Sequence, residues 1–406
     1  MKYIDNYNLL KSKVNYDDLT VIDENLILRN FSFVSDNFKI LPGELSYSCK
    51  RHGFWTDRCY NFDNKTGIIN EVLDIQDSKI EDNINFRYHV LSPSEAEKAS
   101  DIILMLHGFN EKHWRKYLPW AKRIVEASGK TVVMFPIAFH MNRAPQAWSD
   151  PRMMFDASKL RKQQFPNMLH SSLSNVAIST RIHAKPQRFL WSGLQTYYDV
   201  IRFIEEYKSG EHPFISPDAR IDIFAYSIGA FLAEILMMTN YNDYFGKSKL
   251  AMFCGGAVFN RLSPVSKFIL DSEANVNLYS FIVEHLESHL KKDPQLNHYL
   301  NMEHPEGVNF RIMLNYKIMS DLRESAFRQM SDRLTAVTLT QDNVVPPYEV
   351  INTLRGRNRD IPITVHEFDF DYQYKHEDPF PATEKIRDQV DKAFETVFEP
   401  ICDFLK

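Results

Sequence analysis

Short runs of Ile, Val, Leu, Met and Phe recur along this chain, and most of the stretches between them have helical spacing. Asp101–Leu106, Thr131–His140, Arg220–Tyr226, Lys249–Gly255 and Leu334–Thr340 are each apolar for most of their length, and Ile363–Phe368 continues the strand rhythm with three apolar residues of six. Such runs suit strands buried on both faces rather than the alternating pattern of a strand with one wet side. Asn85–Leu91 does alternate, which predicts a half-exposed antiparallel strand, and Asn25–Val34 alternates in part. Between the runs, Tyr117–Ala127 reads as a helix closed by Gly129, a natural C′ residue. Leu194–Tyr207 places Tyr198, Ile201, Ile204 and Tyr207 on one helical face and is followed by Gly210. The residues after Ser227 are strong helix formers, and a last helix carries Ile386, Val390, Phe394 and Val397 on one side. Strands alternating with helices predict a mostly parallel central sheet covered by helices on both faces.

The rhythm fails in three places. Residues 1–83 have no clear period and are expected to form an N-terminal extension packed on the core. Residues 141–185 are polar, Arg-rich and Ser-rich, and read as an insertion at a strand's C-terminal end. Residues 261–330 are helical in pattern but interrupted by Pro294 and Pro305, and they are too long for an ordinary connection, so a helical lid is expected there. The core is then 84–260 with 331–406. No internal repeat or low-complexity segment is present.

Composition narrows the classes. A chain of 406 residues with 44% hydrophobic and 25% charged residues can bury a large core. A net charge of −5 with no basic patch excludes a nucleic-acid footprint. The most apolar window, Ile223–Met238, is broken by Ser227 and Glu234 and is too short to span a bilayer. Four cysteines argue for a reducing compartment, and the N-terminus lacks an apolar signal core, so a cytoplasmic location is expected. Cys49 and Cys59 bracket His52, but no fourth ligand stands at a suitable spacing, so neither a metal site nor another cofactor is expected.

The candidate chemistry sits where strands end, because ligands of open α/β sheets bind at the C-terminal strand tips. Ala225-Tyr-Ser227-Ile-Gly229 is a near match to the G-x-S-x-G elbow, in which a strand turns at once into a helix and exposes the Ser hydroxyl. Such a turn is expected to crowd the positions two before and two after the Ser, so both must be small, as Ala225 and Gly229 are. The new helix aims N–H groups and positive potential at whatever the Ser attacks. Other strand ends supply His107-Gly108-Phe109, the loop Gln341-Asp342-Asn343-Val-Val-Pro-Pro, and the loop containing His376. Asp369 and Asp371 compete with Asp342, and His366 competes with His376 from inside a strand pattern. His107 reads as structural. His140 and Arg143 follow another strand end.

Taken together and in order, the elbow, the His-Gly turn, the Asp-x-x-Val-Pro loop and the late His resemble the α/β-hydrolase superfamily over residues 84–406. The combination His-Gly-Phe-Asn, Phe-His-Met-Asn-Arg-Ala-Pro and Tyr-Ser-Ile-Gly-Ala is further similar to a bacterial branch of about this length, which supplies no substrate. The resemblance implies Ser227 as nucleophile, His376 as base and Asp342 as the residue orienting it. It also implies an oxyanion hole from the Ile228 and Phe109 N–H groups. From their places at strand ends on the same side, Gly108, His140 and Arg143 are read as substrate contacts. The chain departs from the pattern in having Ala225 for the first Gly and no Gly run after His107.

The expected partner is a small-molecule acyl substrate; the sequence gives no oligomeric state. A Ser nucleophile disfavours the branches that use Asp there. Esterase, acyltransferase, peptidase and lyase chemistry with the same triad remain open at this stage, as does a non-catalytic binding or scaffold protein on the same fold.

Overall fold

The computed structural model describes residues 2–17, 19–42, 46–49, 51–57, 72–300 and 303–406. Its strands are β1 (Thr20–Asp23), β2 (Leu26–Val34), β3 (Ser46–Cys49), β4 (Phe54–Asp57), β5 (Asn85–Pro93), β6 (Ala99–Leu106), β7 (Thr131–Met134), β8 (Ile215–Tyr226), β9 (Leu250–Phe253), β10 (Leu334–Leu339) and β11 (Thr364–Phe368). Among the described residues, nine of them form one sheet in the order β1-β2-β5-β7-β6-β8-β9-β10-β11, and β3 pairs with β4 alone. From β7 to β11 every neighbouring pair is parallel, while β1, β2 and β5 pair antiparallel at the other side. β6 and β7 exchange places relative to chain order. The fold is thus the α/β-hydrolase arrangement of a mostly parallel sheet between helical layers.

The apolar runs are continuous because each strand feeds two cores. Along β6, Ile102, Leu104 and Leu106 enter one core while Ile103 and Met105 enter the other. β8 divides the same way, with Ile221, Ile223 and Ala225 on one side and Phe224 and Tyr226 opposite. Helices Arg188–Lys208 and Ile228–Thr239 cover the first face. Helices Tyr3–Lys13, Tyr117–Ser128 and Arg387–Leu405 cover the second. Gly129 ends the Tyr117–Ser128 helix in the left-handed conformation, at φ 70°.

Several elements differ from the sequence reading. The run 131–140 is strand only to Met134: Pro136 has no N–H for the ladder. The following backbone is held by side chains instead. Ile137 N–H donates to His107 Nε2 at 2.9 Å, and Ala138 N–H donates to Thr196 Oγ1 at 2.9 Å. β5 is antiparallel as expected but mostly buried. Tyr88 packs on Phe203 on one face, and His89 on Trp114 on the other. The sheet also begins before residue 84. β1 and β2 extend it by two strands, and the Tyr3–Lys13 helix lies on the C-terminal helix, with Tyr3 4.6 Å from Phe394 between ring centres.

The two segments that break the rhythm meet each other. Residues 141–185 contain helices Pro151–Gln164 and Val176–Ala184; residues 261–330 contain Ser272–Tyr279, Leu286–Leu290, Pro294–Leu300, Pro305–Ile312 and Ser320–Gln329. Pro294 and Pro305 stand at helix starts, where a missing N–H costs nothing. A buried, two-pronged pair between Arg161 and Asp271, at 2.6 and 2.8 Å, ties the segments together. Asn110, just past β6, donates to the carbonyls of both Ser174 and Phe268, which fixes the segments at the strand-end side of the sheet. Among the described residues, no helix is long and apolar enough to cross a membrane.

Candidate active site

β8 ends at Tyr226, and the chain turns into the Ile228–Thr239 helix through Ser227, whose φ of 57° is left-handed for a residue with a side chain. Holding it there costs about 1–3 kcal/mol. Two hydrogen bonds fix the turn: Ser227 N–H donates to Phe253 O at 3.1 Å, and Ala230 N–H donates to Ser227 O at 2.9 Å.

The tightest contact at Gly229 is one the motif does not mention. A Cβ on Gly229 would lie 2.7 Å from Leu106 O and 2.8 Å from His107 O, so Gly229 is needed because the end of β6 passes against the elbow. Gly255 is a second requirement that sequence reasoning missed. A Cβ there would meet the Ala230 methyl at 2.5 Å and Ser227 O at 2.9 Å.

Three strand-end loops converge on Ser227. Its Oγ is 2.7 Å from His376 Nε2, and His376 Nδ1 is 2.7 Å from Asp342 Oδ2. The other carboxylate oxygen of Asp342 accepts the Val344 and Val345 N–H groups at 2.9 and 2.8 Å, so the loop after β10 holds it in one orientation. All three residues are buried. Asp369, the competing carboxylate, accepts instead from Gln341 Nε2 and Tyr374 Oη, and hydrogen bonding to Thr340 first, then Gln341 and Tyr374, brings its carboxyl down to about 2. His366 lies within β11 and stacks on Phe368.

The His376 loop has supports that no motif announces. Tyr226, the last residue of β8, donates its hydroxyl to the His376 carbonyl, and its ring stacks on the imidazole with centres 5.3 Å apart. Lys116 Nζ sits 4.7 Å over the Tyr226 ring and donates to Glu377 O at 2.9 Å. Behind the elbow, burial and the Asp342 charge push the Cys254 thiol well up, which keeps it a neutral thiol.

The remaining predicted residues divide. His107 is buried in a structural role: Nδ1 donates to Gly108 O at 2.8 Å, Nε2 accepts from Ile137 N–H, and burial holds the ring neutral. Gly108 N–H donates to Tyr117 Oη at 2.9 Å, so this group is already paired. Phe109 and Ile228 line two neighbouring apolar cavities, the smaller of which is also lined by Ser227. One, about 60 Å³, continues past Ile137, His140, Ile178, Phe231 and Phe310. The other, about 30 Å³, is bounded by Leu262, Ile269, Leu270, Leu278 and Val345.

His140 is neutral, its pKa lowered by burial to about 4. Nδ1 donates to Ala138 O at 2.8 Å, and Nε2 is buried without a hydrogen-bond partner. Arg143 is a correction. It is fully buried, and its guanidinium is taken up by Asp199 at 2.7 Å, Asn83 Oδ1 and the Pro136 carbonyl. It braces the loop after β7 and does not line either cavity.

Solved structures similar to this chain include carboxyl esterase 2 from the mycorrhizal fungus Tuber melanosporum, at 10% identity and a TM-score of 0.44, covering 79% of this chain and 81% of that one. A thermostable esterase from Pseudomonas putida is 9% identical at a TM-score of 0.42, covering 100% and 91%. A cold-adapted esterase from an Arctic intertidal metagenomic library is 11% identical at 0.36, covering 90% and 94%. A search of curated proteins found no match. A family model matches residues 1–406 from end to end, and the chain belongs to that family, described as a family of unknown function (DUF6051).

Proposed function

We propose that this protein is a serine hydrolase that cleaves a carboxylic ester or related acyl bond through an acyl-enzyme on Ser227. The observation that carries the reading is the hydrogen-bonded chain from Ser227 Oγ through His376 to Asp342, at 2.7 Å for each link. With Nδ1–H donated to a carboxylate held by two backbone N–H groups, the Nε2 lone pair faces the Ser hydroxyl, as a general base requires.

The reaction follows from that geometry. Oγ adds to the acyl carbon as its proton passes to Nε2, and Asp342 stabilises the imidazolium. The Ile228 and Phe109 N–H groups receive the oxyanion. Nε2–H then protonates the leaving group as the tetrahedral intermediate collapses to the acyl-enzyme. Water, deprotonated by the same nitrogen, repeats the sequence and releases the acid.

The apolar cavities suggest the acyl group. A cavity of about 150 Å³ holds one benzene, so spaces of about 60 and 30 Å³ suit acyl chains of a few carbons. Residues 141–185 and 261–330 supply cavity walls from above Ser227 and act as its lid.

The test is hydrolysis of short p-nitrophenyl esters, with labelling by a fluorophosphonate. Ser227→Ala is expected to abolish labelling and nearly all turnover. A wild-type protein that takes up no probe and hydrolyses nothing, or a Ser227→Ala variant as active as wild type, would leave a binding or scaffold role as the better reading.

A further inference from the structure

We propose that the protein carries a zinc ion at a second site, bound by Cys49, His52, His298 and His304. These four side chains offer ligand atoms that all lie within 4.8 Å of one another. Cys49 Sγ is 3.7 Å from His52 Nδ1 and 3.7 Å from His304 Nε2, and His304 Nε2 is 3.1 Å from His298 Nε2. A tetrahedral zinc with Zn–S near 2.3 Å and Zn–N near 2.05 Å has S···N edges of about 3.5 Å and N···N edges of about 3.3 Å. The two S···N contacts are about 0.2 Å longer than the first value and the N···N contact about 0.2 Å shorter than the second, and closing the widest separation of the cluster onto one ion takes small side-chain rotations. Thiolate with imidazole is a donor set that favours zinc over the hard cations.

The surroundings are those of a metal centre. A ligating His donates its other ring N–H to a carboxylate, which fixes the ring and raises its basicity. Here His304 Nδ1 is 2.7 Å from Glu306 Oε1, and His298 Nδ1 is 3.1 Å from Glu303 Oε2. Glu306 is buried and is itself held by Tyr198 Oη at 2.5 Å. With both Nδ1 atoms turned to carboxylates, both Nε2 atoms face each other and the Cys49 sulfur. A shared proton satisfies one such pair, whereas a cation satisfies all four ligands.

The two halves are far apart in sequence, which is why Cys49 and His52, read together with Cys59 (which lies outside the described residues), did not reveal the site. Cys49 ends β3, and His52 sits in the turn to β4, beside Gly53 at φ 63°. His298 lies in the Pro294–Leu300 helix, and His304 immediately precedes the Pro305–Ile312 helix. The spacings, Cys-x₂-His and His-x₅-His, are those of structural zinc sites. Four protein ligands leave no open position, so the ion is structural. A lone two-stranded hairpin is marginal in water, and the ion pins β3–β4 to the helices of residues 294–312. Phe310 of the pinned helix lines the larger cavity near Ser227 and packs on Phe231 of the elbow helix.

The experiment uses the full-length protein, purified without chelator. Elemental analysis is expected to give one zinc per chain. After exchange, cobalt is expected to show the intense visible bands of a tetrahedral ion and a thiolate charge-transfer band in the near ultraviolet. Cys49→Ser should lose the charge-transfer band and most of the metal, while Cys402→Ala keeps both. Ser227→Ala should retain the full zinc content, so this site stands or falls apart from the hydrolase reading. Should Cys49→Ser fail to fold, the wild-type cobalt spectrum decides. A metal-free protein that takes up no cobalt, a weak six-coordinate spectrum without charge transfer, or a charge-transfer band that survives Cys49→Ser would each overturn the proposal.

Discussion

Replacing Asp342 by Asn tests whether the His376 tautomer is set as the proposed mechanism requires. The carboxylate uses both oxygens, one on the Val344 and Val345 N–H groups and the other on His376 Nδ1. An amide has a single acceptor oxygen. Turning its NH₂ toward the two backbone donors would leave buried groups unpaired, at about 1–3 kcal/mol each. The oxygen therefore stays on the backbone and the NH₂ faces His376. Nδ1 must then accept, which moves the ring proton to Nε2, against the Ser227 hydroxyl. The base is lost while the loop geometry is kept. Such a tautomer error costs on the order of 10⁴ in kcat, or about 5.5 kcal/mol of transition-state stabilisation. The assay is kcat for p-nitrophenyl acetate, paired with melting temperature and with nitrogen NMR of the imidazole to read the tautomer. A well-folded variant within about tenfold of wild type would refute the reasoning.

Two further outcomes are expected. Glu234, on the elbow helix, is fully buried with neither carboxyl oxygen hydrogen-bonded, and burial pushes its pKa well up against the opposing pull of Arg323. The folded state keeps a proton that the unfolded chain releases, so stability is full below the ordinary carboxylate range and falls as pH rises, by about 1.4 kcal/mol per pH unit. Glu234→Gln removes that slope, and urea midpoints measured from about pH 4 to 7 check it; parallel curves for the two proteins would show that Glu234 ionises freely in the fold. His140 Nε2 is a lone-pair acceptor on an apolar cavity wall, so His140→Phe is expected to lower kcat/KM about two- to tenfold for esters whose acyl group carries a hydroxyl, with less effect on plain acyl chains. Equal losses on both substrate types would remove His140 from substrate contact.

Much of the arrangement could be read along the chain because its cause is local. A strand buried on both faces has to be mostly apolar, so β6, the second half of β8, β9 and β10 stood out as runs. The elbow stood out because few sequences follow such a run at once with a Ser and a Gly. Once those strands are parallel neighbours, their C-terminal ends share one edge, and loops after β8, β10 and β11 have little choice but to meet. That is why Ser227, Asp342 and His376 could be picked out before their distances were known. Local pattern was less reliable wherever a partner decides the outcome. The run 131–140 looked like a single strand, but beyond Pro136 its N–H groups bind His107, Thr196 and Asn83 rather than a neighbouring strand.

The contacts that escaped the sequence are those between parts far apart in the chain. Arg143 at a strand end looked free to meet a ligand, and only the fold shows that Asp199, on a helix 56 residues later, takes its charge into the interior. The crowding that demands Gly229 comes from β6, more than a hundred residues upstream, so the motif gives the right residue for an incomplete reason. The Cys and His cluster is the extreme instance. Cys49 and His52 form half of a ligand set, and the other half lies some 250 residues away, at the ends of two helices whose spacing suggests only a prolonged connection. A strand shows itself in sequence because its burial is repeated at every residue. A four-ligand centre puts one side chain in each of four places, and its pattern exists only after the β3–β4 hairpin has docked on the helices that begin at Pro294 and Pro305.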